Sequence, residues 1–319
     1  VYCFNDVIRT RRKLLKLSQE ELAERICQPV TISRIENHSG KVQRKNRRAL
    51  LQRVNMSGER YDYEVITDSY EDYLLRSELD RTIAREDWNT AQSMVSELSK
   101  RTSDTPTNRQ YFLRNKAYIT TALPDGHPEK LAPEDRAQYF CDVINLSLPL
   151  DFDSITTWPE CVLSINEIMA LLPLANCYEK TNQKEKSLSI LSFLKNSLKN
   201  LGVNVSLYAS IDTRVELELA SVLGSLGRYL ESSVHVKECI EVSIKNHTSA
   251  TLARALCGEA WNIAGGLDDL SGEEYKLEVQ KVLGTMQQAY AAALISGDTT
   301  RQKNIPAYCR RKFNIEISI

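Results

Sequence analysis

The chain is poor in helix breakers and has no long apolar run. Twelve glycines and nine prolines are spread over 319 residues. No stretch approaches the ~18 consecutive apolar residues of a membrane-crossing helix, and no basic-then-apolar leader opens the chain. It begins at Val1, so a few residues are expected to precede it. Alternating β-branched runs are missing, which argues against strands. The cysteines (Cys3, Cys27, Cys141, Cys161, Cys177, Cys239, Cys257, Cys309) form no Cys-x-x-Cys pair. The histidines (His38, His127, His235, His247) lie far apart. No metal site is expected from such spacing. Thiols flanked by Leu, Ile or Ala read instead as small buried hydrophobes of a reducing compartment. Leu223-Gly224-Ser225-Leu226-Gly227 lacks the Lys-Ser/Thr of a phosphate loop. No Ser/His/Asp or Cys/His arrangement is legible. Neither an enzyme nor a cofactor is expected.

What is present is a split in charge. Residues 1–60 hold 14 Lys or Arg and 6 acids, a net of +8. The totals of 41 basic and 42 acidic residues leave 27 and 36 for the remainder, a net of −9. A small basic segment ahead of a large acidic one fits a DNA-contacting module with a separate control domain. The apolar fraction of 42% allows a substantial core.

The basic segment carries a two-helix pattern. Ser18 and Glu21 form a capping box, and Leu22, Ala23 and Ile26 share one helical face. Cys27-Gln28 makes a turn, and Pro29 starts the next helix, where its missing N–H costs nothing. Ile32 and Ile35 point inward. Helices are predicted over 6–16, 19–26, 29–37 and 44–55. Gln28, Val30, Thr31 and Arg34 then fall where side chains meet base edges; Gln19 and Asn37 join the candidate DNA-binding set, and Lys41, Arg44 and Lys45 of the basic loop add phosphate contacts.

This pattern resembles the Cro/C1-type helix-turn-helix. The five-residue step from Ile26 to Thr31 and the run Ile32-Ser33-Arg34-Ile35-Glu36-Asn37 are similar to the PlcR branch of the RRNPP regulators, which also include Rgg, ComR and PrgX. One departure is Asn37-His38-Ser39-Gly40, which extends the usual ending before glycine by two residues. The resemblance implies a five-helix-type DNA-binding domain followed by a tetratricopeptide-like helical-repeat solenoid. It further implies a cytoplasmic bacterial transcription regulator that senses a short signalling peptide, as in quorum sensing.

From about residue 68 the chain is nearly all helical pattern. Leu174-Ala175-Asn176-Cys177-Tyr178 leads to Thr181-Asn182-Gln183 and then Ser187, Leu191 and Leu194. Leu219-Ala220-Ser221-Val222-Leu223 leads to Leu226-Gly227-Arg228 and then Ser232, Val236 and Ile240. A third copy starts near Ala260-Trp261-Asn262 and turns at Gly265-Gly266; an earlier one turns at Glu86-Asp87-Trp88. The period exceeds the ~34 residues of ideal repeats. The expected organisation is all-α: a DNA-binding domain over 1–58, a tyrosine-rich hinge over 59–72, and a repeat domain for sensing and dimerisation over 73–319.

Stacked helical hairpins form a groove, and an extended peptide in it needs its amides satisfied. Asn and Gln offer both donor and acceptor. The repeat pattern nominates Asn115, Asn166, Asn176, Lys180, Arg214, Leu217, Ser221, Trp261 and Asn262 as peptide-binding. The expected partners are an operator in double-stranded DNA, a short peptide and a second copy in a homodimer, with no membrane. The rival expectation is a scaffold whose repeats bind a protein partner while the N-terminal domain only anchors it to DNA.

Overall fold

A computed structural model of the chain describes residues 4–40, 42–56, 70–84, 87–102, 104–123, 127, 129–199, 206–245 and 249–317. Among them are fifteen α-helices and two short 3-10 turns, with no strand. None of these helices is long and apolar enough to cross a membrane. The chain divides into two compact units, Val1–Gly202 and Val203–Ile319.

The first unit opens with α1 (Phe4–Leu14), α2 (Gln19–Ala23), α3 (Pro29–Glu36) and α4 (Arg44–Arg53). Their apolar stripes close on one core. Val7, Ile8, Leu22, Ala23, Ile32, Ile35, Leu50, Leu51 and Val54 are all buried. Burial of such side chains contributes roughly 1.5–3 kcal/mol each. The capping box at Ser18 forms as expected: Glu21 N donates to Ser18 Oγ at 3.0 Å and Ser18 N to Glu21 Oε2 at 2.7 Å. Helix α2 ends at Ala23 rather than at Ile26. Arg25 takes a left-handed φ of 58° there, and Arg53 of α4 donates to the carbonyls of Glu21 and Glu24 at 3.0 and 2.5 Å. Those carbonyls would otherwise lack partners. The fifth helix expected of this domain, residues 59–69 of the hinge, and Lys41 lie outside the described residues; Tyr70 and Tyr73 belong to the next helix.

The same unit continues with α5 (Tyr70–Ala84), α6 (Trp88–Arg101), α7 (Pro106–Ala122), α8 (Pro133–Asn145), α9 (Ile165–Lys180) and α10 (Lys184–Lys199). The second unit holds α11 (Ser206–Ser225), α12 (Tyr229–Lys245), α13 (Ser249–Gly265), α14 (Gly272–Ser296) and α15 (Thr299–Phe313). Consecutive helices pack as hairpins. The repeat shows most clearly in the turns. Asn182 after α9 and Gly227 after α11 both take left-handed backbone, with φ of 61° and 77°. Each turn is closed by the same bond five residues back, Gln183 N to Tyr178 O at 2.7 Å and Arg228 N to Leu223 O at 2.9 Å. Ser187 and Ser232, one repeat apart, are both fully buried. A small residue there lets the paired helices approach.

Candidate DNA interface and ligand groove

The side chains nominated for DNA contact are carried by three helices that are locked together. Arg12 of α1 makes a fork to Glu36 of α3, Nε to Oε1 at 2.6 Å and Nη2 to Oε2 at 2.9 Å. Gln19 Nε2 of α2 donates to the same Oε2 at 2.9 Å. Burial raises the Glu36 carboxyl, but the hydrogen bonds from Arg12 and Gln19 outweigh it and hold it below its usual value. The hydrogen bond to Glu36 raises Arg12 in turn. Gln19 therefore has one end committed to positioning α3.

Outside this lock, Gln28, Val30 and Arg34 are exposed and Thr31 is half-buried. Gln28 is the N-cap residue of α3 but makes no side-chain cap bond, so its amide is left for other partners. Val30 is 54% exposed, which for an apolar residue on a basic surface suits contact with a thymine methyl. Asn37, at the end of α3, and Lys45, in the first turn of α4, are exposed; the Arg44 side chain lies outside the described ones.

The unusual ending of α3 now has a geometric reason. His38 takes the left-handed position that glycine normally fills, with φ 58°. Ser39 N donates to Arg34 O at 2.9 Å and His38 N to Ile35 O at 3.0 Å. That is a Schellman closure. Gly40 follows because a Cβ there would lie 3.1 Å from Cβ of Arg34.

The second unit contains a groove of about 520 Å³ between α11, α12, α13 and α15. Leu217 and Ser221 of α11 and Trp261 and Asn262 of α13 line it. Trp261 is 57% exposed at its rim. Asn262 is only 7% exposed, and its Nδ2 has no hydrogen-bond partner. An unmet buried donor of this kind costs ~1–3 kcal/mol. Gly224 and Gly258 keep the walls close. A Cβ on Gly224 would lie 3.3 Å from Asn262 Oδ1, and one on Gly258 would lie 3.3 Å from Val236 Cγ2. Sequence reasoning missed Arg254 and Arg301, the two cations of the lining. Arg254 Nη2 bonds Glu218 at 2.8 Å, and Arg301 pairs with Asp298. Arg254, Gly258 and Trp261 recur at helical spacing, a signal that could have found the first; Arg301 comes from the last helix and has no such signal.

The other nominated residues lie elsewhere. Arg214 is exposed on α11 but outside the groove lining. In the first unit, Asn176 is half-buried and Lys180 exposed on α9. Asn115 and Asn166 are joined by one cation, with Arg114 Nη2 to Asn115 Oδ1 at 3.3 Å and Arg114 Nη1 to Asn166 Oδ1 at 3.2 Å. Asn115 is 5% exposed and its Nδ2 also lacks a partner. Among the described residues, Asp212, Glu216 and Glu238 lie near enough to share a cation, but His235 already bonds Glu216.

Comparison with known proteins agrees with this layout. Residues 8–42 match the helix-turn-helix family model. No curated protein matches the chain by sequence. Among solved structures, the chain is similar to Bacillus thuringiensis PlcR in complex with the peptide PapR7 and DNA, at 16% identity over 95% of this chain and 98% of that one, with a TM-score of 0.58. It is similar to apo PlcR at 14% identity, covering 93% and 97%, with a TM-score of 0.56. The apo competence regulator ComR of Streptococcus vestibularis follows at 13% identity, covering 97% of each, with a TM-score of 0.50. The chain thus has a helix-turn-helix at its N-terminus and shares the all-helical fold of these regulators along nearly its whole length.

Proposed function

We propose that the chain is a sequence-specific transcription regulator whose second unit binds a short peptide and thereby controls DNA binding. One observation carries the ligand half of this reading: the second unit holds a groove of about 520 Å³ whose wall combines the apolar Leu217 and Trp261 with the cations Arg254 and Arg301 and the buried Asn262. The fold shared with PlcR, whose structure holds a peptide and DNA together, supports it. The lining suggests what the ligand offers. Asn262 takes a main-chain carbonyl. Trp261 and Leu217 take an apolar side chain. Arg254 and Arg301 each have N–H donors beyond those used by Glu218 and Asp298 and suit an acceptor-rich end.

A single recognition helix buries little surface, so the active form is a homodimer on two half-sites. The rival reading, a scaffold that recruits a protein, has one observation in its favour. Leu230, Val234 and Ile244 are 89%, 65% and 59% exposed and share one face of α12. Native mass spectrometry separates the two. Protein isolated from its own host is expected to carry a short peptide that is missing from protein made in a foreign host. A bare dimer in both samples, with a protein co-isolating, favours the scaffold.

A further inference from the structure

Arg11 and Glu167 stand 156 residues apart in sequence, and neither side chain has any exposed surface. The Arg11 guanidinium uses every nitrogen. Nε donates to Val54 O at 3.2 Å. Nη1 donates to Glu167 Oε2 at 3.2 Å and Val162 O at 3.5 Å. Nη2 donates to Glu167 Oε1 at 2.8 Å, Ser147 O at 3.3 Å and Asn55 O at 3.4 Å. The carboxylate is equally engaged. Ser147 Oγ donates to Oε1 at 2.7 Å, and Ser164 N donates to Oε2 at 2.7 Å as half of the capping box that starts α9. Asn55 Nδ2 adds a bond to Ser147 O at 3.3 Å. One ion pair therefore gathers α1, the end of α4, the end of α8 and the beginning of α9.

Such a pair adds little net stability over a well-packed apolar one, because desolvation cancels most of the attraction. What it adds is direction. A guanidinium fork accepts a carboxylate in one planar orientation, whereas apolar surfaces tolerate sliding. The residue before Glu167 makes a separate connection: Asn166 is tied through Arg114 to Asn115 on α7. Consecutive residues in the first turn of α9 thus hold the polar groups of α7 on one side and the DNA-reading domain on the other.

We propose that Arg11 and Glu167 are positioning residues that form a rigid joint between the DNA-reading domain and the repeats. This joint, rather than the connecting residues 57–69, fixes where α3 points, and a displacement of the first turn of α9 is carried through it to α3. The consequence for DNA rests on the function proposed above. The joint itself can be tested without DNA or ligand, so the two readings fail separately.

The test is a distance distribution by pulsed electron resonance on the full chain. Nitroxides are attached to genetically encoded residues replacing Arg48 and Asn196, both exposed and both in the first unit. The parent is expected to give a narrow distribution. Inserting Gly-Ser-Gly-Ser after Ser57 should leave it narrow. Glu167→Gln should at least double its width. Because that variant strands a buried guanidinium and can unfold, the pair Arg11→Met with Glu167→Leu is measured too. It keeps the space filled without the fork, and should melt like the parent yet show the same broadening. The proposal is overturned by broadening on insertion or by a Met/Leu pair as narrow as the parent. A Met/Leu chain that does not fold also overturns it, since the pair would then hold the fold rather than the orientation.

Discussion

The ring of Tyr229 fills the space that a side chain at Gly265 would need: a Cβ there would lie 2.3 Å from the ring. Tyr229 begins α12 and lines the groove of the second unit, while Gly265 ends α13. Gly265→Ala should therefore push the ring toward the groove. The expected cost is ~1–3 kcal/mol of overpacking, read as a lower melting temperature, together with weaker retention of whatever peptide co-purifies. Unchanged melting would show that the ring has room to move.

Asn262→Ala separates ligand binding from folding. The Nδ2 group has no partner to lose, so thermal stability should hold or rise, since removing an unmet buried donor removes its desolvation penalty. Peptide retention in native mass spectrometry should fall by roughly tenfold, the equivalent of ~1.4 kcal/mol for one hydrogen bond. Full retention would move the ligand away from this side chain.

Arg34→Ala tests the reading helix. Arg34 is exposed on α3. Selection from random DNA should lose preference at one position per half-site, at a cost of ~1–3 kcal/mol, while the helical circular dichroism stays the same. A variant that selects the parent's sequences would remove Arg34 from base reading.

The Arg12–Glu36 lock predicts acid sensitivity of the DNA-binding domain. Glu36 is held below its usual value. Its stabilisation is therefore present above the ordinary glutamate pKa of about 4.3 and is lost as the pH falls through the lowered folded value. Melting temperature should drop along that limb, and Glu36→Gln should be less stable at neutral pH but flatter below it. Parallel pH curves for the two proteins would contradict the assignment.

Three buried thiols, Cys141, Cys161 and Cys257, should be inert in the folded chain. Burial pushes Cys141 and Cys257 up to about 11 and Cys161 to about 12. Little thiolate exists at pH 8 in such sites. A disulfide-exchanging reagent should reach these three only at the rate of unfolding, measured by mass spectrometry of the labelled peptides.

The features read correctly from sequence were local. The capping box at Ser18, Pro29 at the start of α3, and the turns at Asn182 and Gly227 each involve residues within one helical turn of each other. That Leu217, Ser221, Trp261 and Asn262 line one groove follows from the repeat, which carries a face from one hairpin to the next. Arg11–Glu167, Gln19–Glu36, and Arg53 on the end of α2 were not reachable. Their partners come from distant segments, and a polar residue leaves no periodic trace of whether it faces water or another helix. The end of α2 was overextended for the same reason: apolar spacing runs on to Ile26, but the backbone turns at Arg25.

With one end of Gln19 held by Glu36, the base-edge candidates on α3 and its N-cap are Gln28, Val30, Thr31 and Arg34, all exposed or half-buried. Four side chains can discriminate about four base pairs, a word that recurs by chance roughly once in 256 positions, against the ~10⁶ or more competing sites of a genome. One copy of this helix carries too little information to name an address. Whatever doubles the word, a second copy or a neighbouring protein, decides which gene is found.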